Sequence, residues 1–270
     1  MTTSIPIIKT NGTGNDFVLV DERETPLDDP VAFARRVCDR ASGVGADGVL
    51  LVERSERFDA RMRIINADGS EAEMCGNGMR CFARYLDEHD GIGEATVETL
   101  AGPIGTRVLS RAPYTIAVEV GEPKLGEPHE VAGYRAVPVD VGNPHVVIQV
   151  DDVDAIDLAV IGPRIERDPR YPHGTNVHFV ERMFRHAQHD GGARHDTVEW
   201  KVRHWERGAG ATQACGTGTV ATAAVLIASG EATSPVALRV PGGVLEVVWT
   251  PGTRATLIGD AVREYERVIA

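Results

Sequence analysis

Met74-Cys-Gly-Asn-Gly-Met-Arg-Cys81 and Gln213-Ala-Cys-Gly-Thr-Gly-Thr219 are two versions of one arrangement. In each, a thiol, Cys75 or Cys215, is followed by a glycine-rich turn that runs straight into a helix. Apolar spacing predicts those helices at Gly78–His89 and Gly218–Ser229, with Gly91 and Gly230 at or just past their ends. A cysteine at a helix N-terminus has its thiolate stabilised by the dipole and by unpaired backbone N–H groups. The glycines let backbone approach a ligand, and the N–H groups suit a carboxylate.

Outward from these motifs the chain reads as a duplication. Gly14-Asn-Asp-Phe-Val-Leu-Val20 resembles Gly142-Asn-Pro-His-Val-Val-Ile148, an offset of 128 (142 − 14). Gly48-Val-Leu-Leu-Val52 lies over Asn176-Val-His-Phe-Val180 at the same offset (176 − 48), and the cysteines are 140 apart (215 − 75). The second copy therefore carries about twelve extra residues between Val180 and Glu206, and the polar stretch Arg185–Asp196 reads as a long hairpin loop. Short β-type runs dominate the rest, with two further helices predicted at Val31–Ala41 and Asp154–Ile161. Two similar α/β halves facing each other across a cleft follow from this pattern, and such clefts are favoured ligand sites.

Composition narrows the function. The chain has 270 residues, enough for about two domains, and a formal charge of −12. That excess of acid argues against nonspecific nucleic-acid binding, which needs a basic footprint. Only three of the 28 basic residues are lysines, so candidates for a Schiff base are few. The longest apolar run, Val220–Ala228 with Thr222 inside it, is far short of a membrane span, and no signal peptide is read at the start. Four cysteines without a C-x-x-C pair suggest a cytosolic protein with reduced thiols, Cys38 and Cys81 serving as packing residues.

Two thiols on opposite sides of one bound molecule are what stereoinversion at a carbon needs. One thiolate removes a proton from one face, and the other thiol returns a proton to the opposite face. The α-proton of an amino acid is very weakly acidic, so preorganised dipoles must stabilise the carbanion away from water. Matched polar residues accompany the thiols. Asn66 and Glu206 each stand nine residues before a cysteine, Asn15 and Asn143 occupy matched Gly-Asn turns, and Arg207 suits a carboxylate. A buried structural cysteine beside a tight turn explains one such motif; its repetition favours chemistry. Gly43-Val-Gly-Ala-Asp-Gly48 has dinucleotide spacing in the wrong context, and Gly216-Thr-Gly-Thr-Val-Ala221 lacks the acidic partner on a second parallel strand. His186, His189 and His195 read as an incidental solvated loop rather than a metal site.

These blocks, with Gly142-Asn-Pro-His145 and Trp205-Glu-Arg-Gly-Ala-Gly210, resemble the diaminopimelate epimerase family over nearly the whole chain. The resemblance implies an α+β fold of two pseudo-symmetric α/β domains. Each is a mostly antiparallel sheet wrapped around a central helix, with the active site in the interdomain cleft. Domains of 1–120, joined by 261–270, and 121–260 are expected. It further implies a homodimer working without a cofactor; with the cysteine usage, the acidic charge and the short apolar runs, the expectation is a cytoplasmic protein without metal that engages neither nucleic acid nor membrane. The reaction it implies interconverts LL- and meso-2,6-diaminopimelate in lysine and cell-wall precursor synthesis. By the same resemblance Cys75 is the proton donor and Cys215 the acceptor in the LL-to-meso direction. Asn15, Asn66, Gly76, Asn77, Asn143, Asn176, Glu206, Arg207, Gly216 and Thr217 match substrate-contacting positions, and His145 supports the reacting centre from behind. Thr10 and Thr13 replace apolar residues usual in the family, and Gly48 stands where some members place a contacting Gln. A proline or hydroxyproline racemase is the nearest alternative, but would typically carry His at Asn77. A redox protein cycling Cys75 and Cys215, and a binding protein without turnover, are others.

Overall fold

The computed structural model describes residues 4–188 and 194–269, with backbone alone for 184–188 and 194–197. The chain divides into two compact units, Met1–Glu119 with Ile258–Ala270, and Val120–Leu257.

The first unit holds β1 (Ile5–Gly12), β2 (Asn15–Asp21), α1 (Pro30–Val37), β3 (Gly48–Glu53), β4 (Ala60–Asn66), β5 (Glu71–Ala72), α2 (Gly76–Asp90), β6 (Glu94–Thr99), β7 (Gly102–Arg111) and β8 (Tyr114–Glu119). The second holds β9 (Lys124–Leu125), β10 (His129–Val131), β11 (Tyr134–Asp140), β12 (Pro144–Val150), α3 (Leu158–Glu166), β13 (Asn176–Gln188), β14 (Arg194–Glu206), β15 (Gly210–Thr212), α4 (Gly216–Ala228), β16 (Val236–Val240) and β17 (Gly243–Val248). The chain then runs through β18 (Thr256–Asp260) into β19 (Val262–Ile269), which pairs antiparallel with β1.

Both units use one pairing plan. In the first, β1–β2, β3–β4 and β6–β7 are antiparallel, whereas β2–β3 and β4–β6 are parallel. In the second, β11–β12, β13–β14 and β16–β17 are antiparallel, and β12–β13 and β14–β16 parallel. The mostly antiparallel α+β architecture is thereby established twice over. Each sheet curls around one helix. The first helix of the pair, α2, touches β1 to β4 and β6 to β8; its counterpart α4 touches β11, β12, β13, β16 and β17. That enclosure explains the composition of α4: Val220, Ala221, Ala223, Ala224 and Leu226 are all fully buried, because a helix walled by sheet needs apolar residues all round.

Several boundaries differ from the sequence reading. Instead of running to Ala41, α1 stops at Val37, because the N–H groups of Val44 and Gly45 both donate to the Val37 carbonyl and fold the following loop back. The third helix starts four residues later than expected, at Leu158, where the Asp157 side chain accepts from the Val160 N–H. The extra residues of the second copy lengthen two laddered strands, β13 and β14, whose pairing continues to Gln188 and Arg194. His189 lies outside the described residues. Strands β5, β9, β10, β15 and β19 were not anticipated. Cys38 and Cys81 are packed, each 2% exposed.

Candidate active site

In the first unit the hairpin between β1 and β2 turns through Thr13 and Gly14, both at positive φ (53° and 82°), and delivers Asn15 at the start of β2. Asn15 donates through Nδ2 to Asp47 Oδ2 at 2.5 Å. Its Oδ1 is thereby turned toward Cys75 Sγ, 3.6 Å away, and accepts weakly from Asn77 Nδ2 at 3.4 Å. Cys75 is the extended N-cap residue of α2 and half-buried, so its thiol sits where the first-turn N–H groups of the helix lack intrahelical partners. Gly76 and Asn77 open the helix. Beneath them Arg80, 0% exposed, donates from Nη2 to Asn77 Oδ1 at 3.1 Å and to Thr13 Oγ1 at 2.8 Å, and from Nε to the Asp260 carbonyl at 2.9 Å. Asn66 ends β4 opposite Gly48 and donates to Ser70 Oγ at 2.9 Å.

In the second unit Cys215 is the extended N-cap of α4 and 4% exposed. Burial pushes its thiol pKa well above the ordinary value, and the neighbouring Glu206 carboxylate adds to the rise. The Gly218 N–H and the Thr217 hydroxyl, 3.8 Å from Sγ, pull the other way. The raised pKa keeps the thiol protonated in this arrangement, with the Glu206 carboxylate as its hydrogen-bonding neighbour. Asn176 is a bracket: its Oδ1 accepts from the Arg207 N–H at 3.0 Å and its Nδ2 donates to the Pro144 carbonyl at 2.9 Å. The Arg207 side chain is exposed and donates from Nη1 to the His173 carbonyl at 2.9 Å. Asn143 meets His145 Nε2 through Oδ1 at 2.8 Å, and Gly216 and Thr217 form the first turn of α4.

Asn15, Asn77 and Cys75 are thus in direct contact in one unit. Cys215, Glu206 and Thr217 cluster in the other, as do Asn143 with His145 and Asn176 with Arg207. Gly48, where a contacting Gln was in question, is a pairing position in β3 whose added Cβ would meet the Ile65 carbonyl at 2.9 Å. Sequence reading missed Asp47, Arg80, His178 and His204. Asp47 and Arg80 stand inside quoted motifs, but nothing in their spacing marks them as supports for an asparagine.

A family model described as diaminopimelate epimerase matches residues 7–126 and 137–264. A diaminopimelate epimerase of Moorella thermoacetica is 42% identical over 283 residues, covering 96% of this chain and 96% of that protein. One of Rhizorhabdus wittichii is 41% identical over 273 residues, covering 95% and 92%. Among solved structures, a hydroxyproline epimerase from Agrobacterium vitis superposes with a TM-score of 0.64 at 15% identity, covering 99% of this chain and 93% of its own. A phenazine biosynthesis protein of the PhzF family from Enterococcus faecalis gives 0.72 at 12% identity, covering 99% and 100%. These distant structures share the fold; the near relatives and the matched model decide more, and on them this chain belongs to the diaminopimelate epimerase family, a family of isomerases.

Proposed function

We propose that the chain interconverts LL- and meso-2,6-diaminopimelate without a cofactor, using Cys75 and Cys215 as its two proton carriers. The observation that carries this reading is the pair of cysteines capping the two sheet-enclosed helices, each beside its own polar partners. In the LL-to-meso direction the Cys215 thiolate, formed as Glu206 takes the thiol proton, removes the α-proton. The Cys75 thiol then donates its proton to the opposite face. After one turnover the two sulfurs have exchanged protonation states, so the enzyme is set for the reverse reaction. The first-turn N–H groups of α2 and α4 suit the α-carboxylate, on which carbanion charge accumulates. Asn15, Asn66, Asn77, Asn143, Asn176, Arg207, Gly76, Gly216 and Thr217 hold the amino-acid groups, with His145 behind Asn143.

The family resemblance makes the protein a homodimer acting in lysine biosynthesis, and its free cysteines fit a cytoplasmic location. Among the described residues no helix is long and apolar enough to cross a membrane. Sedimentation and cell fractionation test those two statements. The reaction is tested with reduced protein and LL-diaminopimelate in D₂O. Deuterium should appear at the α-carbon together with meso product, and Cys75→Ala and Cys215→Ala should each abolish epimerisation. Absence of both deuterium and meso product, or full turnover in both variants, removes the proposal.

A further inference from the structure

The repeated pairing plan allows the two units to be compared position by position. In the first, Phe17, Leu50 and Ile64 lie side by side on β2, β3 and β4, with exposures of 3%, 0% and 2%. Phe17 pairs with Gly48, and Leu50 with Ile64. In the second, the same register positions are His145, paired with Asn176 on β13, and His178, paired with His204 on β14. All three histidines are buried, at 1%, 0% and 1%. A stripe of apolar core has become a line of imidazoles. Each exchange gives up part of the apolar burial and puts polar nitrogens into a dry core. The line is therefore expensive for a core that is well made without it in the other copy.

The imidazoles are joined end to end. His145 Nδ1 meets His178 Nε2 at 2.8 Å, and His178 Nδ1 meets His204 Nδ1 at 2.8 Å. The near end of the line is the 2.8 Å contact of His145 Nε2 with Asn143 Oδ1. At the far end His204 Nε2 is buried without a hydrogen-bond partner among the described residues. A neutral imidazole has one donor and one acceptor. Only two neutral arrangements satisfy every internal contact: all rings donate toward Asn143, or all donate away from it. The first leaves a bare lone pair on His204 Nε2; the second leaves an orphaned N–H, the rarer and costlier defect in protein interiors. The first also agrees with an Asn143 carbonyl oxygen facing His145.

We infer that His204, His178 and His145 form a positioning line. It holds the Asn143 amide with its oxygen inward, so that its NH₂ is offered to a substrate acceptor such as a carboxylate oxygen. The duplicated asparagine of the first unit is held the opposite way: Asp47 accepts from Asn15 Nδ2, which leaves Asn15 offering its oxygen. One copy presents an acceptor and the other a donor, as a zwitterionic amino acid requires. That last step rests on the proposed reaction; the hydrogen-bond line does not.

The test begins with the unmodified protein, labelled with ¹⁵N-histidine. The chain has nine histidines, so single substitutions assign the three rings in two-bond ¹H–¹⁵N spectra. At pH 7 all three should be neutral, His145 and His178 protonated at Nε2 and His204 at Nδ1. The reverse set of tautomers, or a cationic ring among them, overturns the inference without reference to activity. The kinetic arm compares His204→Asn, whose amide nitrogen replaces the Nδ1 donor, with His204→Leu, which has none. The asparagine variant should keep kcat/KM within about threefold, whereas the leucine variant should raise KM roughly tenfold with kcat changed less than threefold. Equal kinetics in the two variants at matched melting temperature overturn the positioning role. Wild-type protein with the stated tautomers but no exchange on diaminopimelate would remove the proposed reaction and leave the line standing.

Discussion

A methyl group added at Gly218 would come within 2.2 Å of His178 Cε1. The second glycine of the Cys215 motif is thus required by an imidazole packed against the first turn of α4. At its counterpart Gly78 the tight contact is the movable end of Leu50, Cδ2 at 3.0 Å, with Phe17 Cζ and Cys75 Cβ at ordinary distances of 3.5 and 3.7 Å. His178 cannot retreat, because both ring nitrogens are hydrogen-bonded. Gly218→Ala should therefore destabilise the protein by roughly 1–3 kcal/mol through overpacking. Gly78→Ala should cost less than about 1 kcal/mol, since Leu50 can shift and alanine favours helix. Urea unfolding of the two variants compares them, and equal losses would contradict the asymmetry.

The histidine line also predicts a dependence of stability on pH. Burial lowers His145 and His204 to about 3 and carries His178 well below its ordinary value; charge on His204 and then Arg207 adds to the lowering at His145, and charge on His204 and His145 to that at His178. In the unfolded chain these rings take up protons near pH 6.5. The fold, which keeps them neutral, has its full stability above that pH and loses it as pH falls toward 3. Each ring contributes a slope of up to about 1.4 kcal/mol per pH unit in that window. Replacing His178 by Leu and His204 by Ile, as in the first unit, should flatten the loss between pH 6.5 and 5. Chemical denaturation across that range measures it, and an unchanged slope would mean that the rings are not neutral in the fold.

The duplication, the thiol-capped helices and most strands were legible because their signals are local. A cysteine followed by glycines and helical spacing needs no distant partner to be recognised. The strand β19 was not legible: Val262–Ile269 alternates charged and apolar residues poorly, is exposed along nearly its whole length, and is a strand because β1 pairs with it. The two- and three-residue strands β5 and β15 likewise exist only as ladder partners of β4 and β14. The histidine line was hidden by the length difference between the copies. His178 falls over Leu50 at the offset of 128, but His204 falls over Ile64 only at 140, beyond the lengthened hairpin. Asp47 and Arg80 act through side-chain hydrogen bonds that no spacing rule encodes.

Thr13 offers a prediction in which strain and hydrogen bonding oppose each other. A β-branched residue at φ 53° is strained by about 1 kcal/mol or more, so it persists only where its surroundings demand it. Its hydroxyl donates to Asp260 Oδ1 at 2.5 Å and accepts from Arg80 Nη2 at 2.8 Å, linking a buried guanidinium to a carboxylate. Thr13→Val keeps the shape and the strain but removes one hydrogen bond from each partner, and should cost about 2–3 kcal/mol. Thr13→Ser restores the hydroxyl and should stay within about 1 kcal/mol of the parent. Thermal unfolding of both separates hydrogen bonding from shape. It would count against the link if the valine variant were as stable as the serine one.

Glu206 and Cys215 give a prediction about proton ownership. Burial is the larger cause of the raised Cys215 pKa, but the Glu206 carboxylate adds to it twice, as a nearby negative charge and as a hydrogen-bond acceptor for the thiol. Glu206→Gln removes the charge and leaves the burial, so the thiolate should form at lower pH. A downward shift of about one unit corresponds to a tenfold gain in thiolate at fixed pH. The measurement is thiolate absorbance in a Cys75→Ala background, taken as a difference from the same protein with Cys215→Ser. Cys38 and Cys81 are pushed up to about 11 and about 12 by burial, so their ionisation is well removed from neutral pH. Epimerisation should nevertheless slow in Glu206→Gln, because the group that receives the thiol proton is gone. A variant in which the thiol titrates as before, while turnover falls, would assign Glu206 to substrate contact alone and would require another acceptor for the Cys215 proton.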